Sequence, residues 1–130
     1  MSATPLEEWL ERAEEDYRQA QVALRQRRYP AYHSTCFHSQ QCAEKYIKAF
    51  LVRHNIKFRK VHDLTELQRQ CFEIDQAFEL ISKPLDVLYP YAVDVRYPGL
   101  KVTELDARQA VAAMKEIRKF VRARLGLKTR

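Results

Sequence analysis

Glycine is almost absent from this chain, with only Gly99 and Gly126 among 130 residues. Phosphate-cradling loops of the GxxxxGK[ST] and GxGxxG types need several glycines where backbone must approach the ligand, and neither motif occurs. P-loop nucleotide hydrolysis and Rossmann-type dinucleotide binding are therefore excluded. Cysteines number 3, an odd count without a CxxC pair, and they sit inside helical-looking segments as free thiols of a reducing compartment. Ser34 and Ser39 lack the elbow glycines that would present a nucleophile, so a hydrolase triad has no motif support. No apolar run comes near the roughly 20 residues that cross a bilayer, and the N-terminus passes at once into acidic EEWLERAEED. A soluble, cytoplasmic protein with no membrane segment is the expectation.

What the chain does contain is a surplus of helix formers: Ala, Leu, Glu, Arg, Lys and Gln dominate, with only 5 prolines. Its length fits a single domain over residues 1–130. Thr4-Pro5-Leu6-Glu7 combines a capping threonine, a proline at the first helical position and a glutamate three after the cap. Apolar or small residues then recur at Leu6, Trp9, Leu10, Ala13, Tyr17, Ala20 and Leu24, predicting a helix to about Arg27. A second should run from about Pro30 to Arg53. Asp63 caps a third to about Phe72, and Asp75 caps a fourth from Gln76 to about Leu88, broken or kinked at Pro84. Residues 89–102 read as a loop, and Thr103 caps the last helix, in which Ala107, Val111, Met114, Ile117, Val121 and Leu125 keep the 3/4 spacing. The predicted fold is all-α, an antiparallel up-and-down bundle of four to five helices.

Net charge is +6, unevenly placed: residues 104–130 carry 8 bases against 3 acids. Arg118, Lys119, Arg122, Arg124 and Lys128 suit the negative end of the last helix dipole, and they equally suit an RNA or acidic partner. On a helical wheel Tyr32, Cys36, Ala43, Ile47 and Phe50 share the core face of the second helix, with His33, Gln40 and Glu44 along its margin. Ser34, His38, Gln41, Cys42, Lys45 and Ala49 lie opposite. That back is neither bulky nor strongly charged, so a second copy of the chain is expected to cover it in a homodimer. His33 and His38 diverge by about 140°, which rules out a metal shared along this helix; no metal and no cofactor are expected.

Three segments, in order, resemble the HEPN family, the helical domains named for higher eukaryotes and prokaryotes nucleotide-binding. They are CFHSQQCAEKYIKAFL with His38, Gln40, Gln41, Ala43, Glu44, Lys45 and Lys48; His62-Asp63-Leu64; and Arg96-Tyr97-Pro98-Gly99. The resemblance implies a homodimer of four- or five-helix bundles, often encoded beside a minimal nucleotidyltransferase in toxin–antitoxin fashion. It also implies, for many members, a metal-independent RNase site built on Arg-x(4–6)-His at the start of the last helix. Histidine would exchange protons there while arginine holds the phosphate. Here Arg96 stands at the arginine position, but Lys101 and Val102 occupy the histidine positions and no histidine follows His62.

The leading expectation is thus a non-catalytic, homodimeric module binding nucleotide, RNA or a nucleotidyltransferase partner. Its cleft would lie between the second helix and residues 89–102. Arg96 would hold phosphate, Tyr97 or Tyr91 would stack on a base, and Lys45, Lys48 and His38 would add positive potential, supported by Gln41, Glu44, His62 and Asp63. Two alternatives remain: an RNase using Arg96 with a displaced His38 or His62, and a purely structural dimerising adaptor. Arg27 or Arg28 with His33 also matches the spacing, across the first turn, which is taken to lie at the wrong end of the domain.

Overall fold

Helix α1 (Pro5–Arg25) starts at the capping box read from the sequence. Thr4 Oγ1 accepts from the Glu7 amide at 3.2 Å and Glu7 reaches back to the Thr4 amide at 3.0 Å. The computed structural model describes residues 3–58, 63–93 and 101–130. Helix α2 spans Tyr32–Arg53, α3 Leu64–Ile74, α4 Ser82–Leu88 and α5 Glu104–Arg124, with 3₁₀ turns at Gln76–Ile81 and Tyr89–Tyr91. No strand occurs among the described residues.

Asp63 caps α3 by accepting from the amides of Thr65 and Glu66. Thr103 and Asp106 form a second reciprocal capping box at α5. The kink expected at Pro84 lies elsewhere. A six-residue 3₁₀ stretch ends at Ile81 and a fresh α-helix begins at Ser82, which puts Pro84 in the first turn. Amides there have no intrahelical acceptor, so the missing N–H removes nothing.

Packing follows from residue size. On α1 the fully covered apolar positions are alanines, Ala13 and Ala20, and they let α1 approach the Cys42 and Ala49 side of α2 closely. The large core residues come from the other helices: Ile47 and Leu51 of α2, Leu64 and Leu67 of α3, Leu88 of α4, and Met114, Ile117 and Val121 of α5. Phe78, from the first 3₁₀ turn, joins Phe50 and Phe120 with ring centroids 4.5 and 5.0 Å away. Burying each such side chain contributes roughly 1.5–3 kcal/mol before conformational entropy is set against it.

Directions are fixed by contacts at the two poles. Tyr32, at the start of α2, donates its hydroxyl to Glu104 at the start of α5 (3.3 Å), while Tyr46 and Arg122 meet toward the opposite ends, 3.0 Å apart. Helices α2 and α5 therefore run the same way, and α1 runs against both. Asp75, after α3, meets Arg124 near the end of α5 at 2.7 Å, and the chain then returns through α4 to the first pole, where Tyr91 bonds Cys36. The returning third leg of an up-and-down bundle is thus assembled from the 3₁₀ turn and α4, with α3 ending at the pole where that leg begins.

Two expectations are corrected by this arrangement. Cys42 and Ala49 are 0% exposed within one chain because α1 lies over them, so a second copy is not what covers that part of the back of α2, while Ser34, His38, Gln41 and Lys45 of the same face stay half-exposed. The turn between α1 and α2 also lies at the same pole as the start of α5, so Arg27, Arg28 and His33 are not at the wrong end. A wheel shows which face is apolar; it does not say which element covers the other one.

Candidate functional site

The polar residues of α2 are held largely by one another and by α1. Lys48 is only 5% exposed and donates to Glu44 at 3.0 Å, with its ammonium 5.6 Å from the Trp9 ring centroid and 5.5 Å from that of Phe58. Glu44, 2% exposed, also accepts from Gln40 at 3.1 Å, and Gln41 donates to Gln40 at 2.7 Å. These four side chains form a continuous buried or half-buried ladder. Asp16 of α1 accepts from His38 Nδ1 at 2.7 Å on one oxygen and from Lys45 on the other. Burial alone would raise the Asp16 carboxyl, but the His38 and Lys45 hydrogen bonds and charges outweigh it and hold the group below its ordinary value.

A second clasp joins three helices. Arg118, 6% exposed, makes a bidentate pair with Glu14 (2.8 and 2.7 Å) and lies 4.2 Å from the Tyr17 ring centroid. Tyr46 donates to the same carboxylate at 2.5 Å. Burial pushes Glu14 up, yet the bonds from Arg118 and Tyr46 and the charges of Arg118 and Arg122 bring it below its ordinary value. Burial drives the Tyr46 hydroxyl upward, reinforced by Glu14. Arg122 also donates to the Lys128 carbonyl, and Arg124 is bound to Asp75. Arg118, Arg122 and Arg124 are thereby engaged inside the chain, a pairing that neither the helix-dipole reading nor the RNA reading of these residues anticipated.

The three thiols are buried and free. Burial raises all three, Cys36 to about 11 even against its bond from Tyr91, which makes them poor nucleophiles at neutral pH. Among the described residues, no three His, Cys, Asp or Glu side chains come together as metal ligands would.

Of the residues singled out in the sequence, His38 and Lys45 share one carboxylate and Gln41, Glu44 and Lys48 share one ladder. Asp63 is a helix cap. Arg96, Tyr97 and His62 lie outside the described residues. Tyr91 packs against the core, and burial pushes its hydroxyl up to about 12. The described start of the 89–102 segment lies at the Cys36 level of α2, from which Lys45 and Lys48 stand about 14 and 18 Å further along the axis, at about 1.5 Å per residue. The fold does not gather these lysines with Tyr91.

What shares the pole of the Tyr91 and Thr103 flanks is a set of cations, of which sequence reasoning weighed only Arg27 and set it aside. Arg25, Arg27, Pro30, Tyr32, Glu104 and Arg108 line a recess of about 530 Å³. Glu104 is 3.6 Å from Arg108 and accepts from Tyr32. Between the lining residues Arg27 and Pro30 in sequence, Tyr29 holds a left-handed backbone (φ 52°) with 92% of its surface exposed. The RQRRYP run was visible as a charge cluster with an aromatic; its juxtaposition with Arg108, far along the chain, was not.

The HEPN domain model matches residues 6–124, nearly the whole of this bundle. The chain belongs to the HEPN family. The fold is shared with the crystal structure of ST0689, an archaeal HEPN homologue, at TM-score 0.66 and 24% identity, covering 95% of this chain and 99% of that one. Over 52 residues the chain is 44% identical to a protein of Methanocaldococcus jannaschii named "Putative toxin MJ1304", a stretch covering 40% of this chain. It spans 32% of that protein's length. In this HEPN chain His38 and Lys45 fasten α2 to α1 through Asp16 while Gln40, Gln41, Glu44 and Lys48 bond along α2 itself, and no described helix is long and apolar enough to cross a membrane.

Proposed function

We propose that this HEPN protein is a non-catalytic, homodimeric binding module whose ligand is a nucleotide, an RNA or a minimal nucleotidyltransferase, and which works at the pole formed by the α1–α2 turn and the start of α5. The observation that carries this reading is the histidine distribution. The chain has 4 histidines, none beyond His62, so Arg96 has no acid/base partner at the spacing that phosphodiester cleavage requires. Of the two invoked as displaced substitutes, His38 is engaged with Asp16 on the α1 side of α2. Arginines without a proton-transfer partner still bind phosphate well, because a guanidinium offers a fixed fork of donors. Family membership and the short likeness to a protein named as a toxin support a place in a two-component pair.

The test combines solution mass with ligand titration. A dimer that binds mononucleotide or RNA, or co-purifies with a nucleotidyltransferase, and leaves RNA intact without metal is the expected result. A monomer at high concentration, inert toward all three, would refute it. One observation favours the RNase alternative: Arg27, Arg28 and His33 share the pole where α5 begins. RNA cleavage that disappears in both Arg28→Ala and His33→Ala would establish that alternative instead.

A further inference from the structure

The turn between α1 and α2 has three properties that a simple reversal of direction does not require. It is densely cationic, with Arg25, Arg27 and Arg28 all exposed, and Arg108 of α5 faces the same recess. Among the described residues none of those three turn arginines is paired with a carboxylate, whereas the arginines of the α1–α5 clasp and of the Asp75 contact are. It also holds Tyr29 in a left-handed conformation, which disfavours any residue with a Cβ by roughly 1–2 kcal/mol, and leaves that ring almost wholly in water. Turn chemistry alone would select glycine or asparagine there. A tyrosine kept at such a position is better explained by what its ring does than by how the chain turns.

We propose that this turn binds a nucleoside monophosphate unit, with the base stacked on Tyr29 and the phosphate held by Arg25, Arg27 and Arg108. The inference rests on the nucleotide-binding reading above and gives that reading a location. An aromatic face beside a cationic groove is the arrangement that binds single-stranded nucleic acid without strong sequence preference. Glu104 has a defined part. It accepts from Tyr32 and lies against Arg108, so it positions that guanidinium at the rim and leaves the turn arginines uncompensated. The recess, at about 530 Å³, is within the size range of small-ligand sites. The same unit occurs free and as a link in RNA, and both sources present the same chemistry.

The experiment is an anisotropy titration of labelled pentaadenylate at low salt, with AMP and inorganic phosphate as competitors. The variants are Tyr29→Gly, the triple Arg25→Ala/Arg27→Ala/Arg108→Ala, and Arg96→Ala. Glycine relieves the left-handed backbone, so Tyr29→Gly keeps the fold while removing the ring. The expected result is about tenfold weaker binding in Tyr29→Gly, within the range for losing one stacked base. In the triple variant the salt dependence should flatten, by about 0.7 in the log–log slope for each single-strand phosphate that is no longer neutralised. Competition by AMP identifies the free nucleotide as a sufficient ligand, and competition by strands alone identifies RNA. Binding unchanged in both turn variants but abolished by Arg96→Ala would overturn this location while leaving the wider reading intact. Absence of binding by the unaltered protein would overturn this location, as would a turn that captures a protein partner and ignores every nucleotide probe; the wider reading falls only when a nucleotidyltransferase fails to bind as well.

Discussion

Arg118→Met tests whether the α1–α2–α5 clasp holds the bundle together. The methionine keeps an aliphatic stem beside Tyr17 but deletes both bonds to Glu14, at 2.7 and 2.8 Å. Hydrogen bonds to charged groups contribute about 1.5–3 kcal/mol each, and breaking a fully buried ion pair costs about 3–5 kcal/mol. Glu14 has 26% of its side chain exposed, so water recovers part of the loss. Screening of that exposed edge brings the expected destabilisation to about 2–3 kcal/mol, or roughly 6–12 °C in melting midpoint for a domain of this size. Urea unfolding followed by circular dichroism measures it. Glu14→Gln combined with Arg118→Met should recover part of the loss, since no carboxylate then remains beside the vacated site, giving a coupling of about 1 kcal/mol. The acid limb adds an independent reading. Because the folded state holds Glu14 below 4.5, the clasp contributes fully above that pH and its contribution fades as pH falls through the depressed folded value. The unaltered protein should therefore lose stability with acid more steeply than Arg118→Met. A loss under about 0.5 kcal/mol, or identical acid limbs, would refute the reasoning.

Asp16→Asn should lower stability by about 1–3 kcal/mol in urea unfolding, and, since Asp16 is also held low, acid should erode the unaltered protein more than the variant. Thr103→Ala removes the acceptor for the Asp106 amide and should cost about 1 kcal/mol, read as a lower melting midpoint. The thiols Cys36, Cys42 and Cys71 should react with a disulfide reagent only after denaturant is added; rapid labelling of the native protein would contradict their burial. Tyr29→Gly should leave the melting midpoint unchanged or raise it, because relief of the left-handed backbone offsets the extra freedom glycine gains when unfolded.

Local signals in the sequence carried much of the architecture. Thr4, Asp63 and Thr103 cap the helices they were expected to cap, because capping is decided within four residues, whereas Asp75 caps the 3₁₀ turn Gln76–Ile81 and not an α-helix. The desolvation of Gln40 and Glu44 at the margin of α2 was likewise legible from angular spacing. Pro84 misled because the break is set by the 3₁₀ stretch ending at Ile81, and a proline at a helix start looks the same in sequence as one in its interior. The site was less legible for a different reason. Lys45 and Lys48 look like free cations until Asp16 and Glu44 are seen beside them. Arg27 and Arg108 become neighbours only once α2 and α5 are known to run in parallel. Charge in a sequence is counted one residue at a time; whether it is neutralised depends on topology.

The enclosure of α2 has a further consequence for comparing relatives. A helix wrapped by α1 on one side and by α3, α4 and α5 on the other buries 13 of its 22 residues, Gln40, Glu44 and Lys48 among them. Its Gln-Gln-x-x-Glu-Lys pattern is therefore a code for assembling the domain. Two chains that share it can be expected to fold alike while recognising unrelated molecules, with the differences written in the outer turns, where substitutions leave the central strut undisturbed.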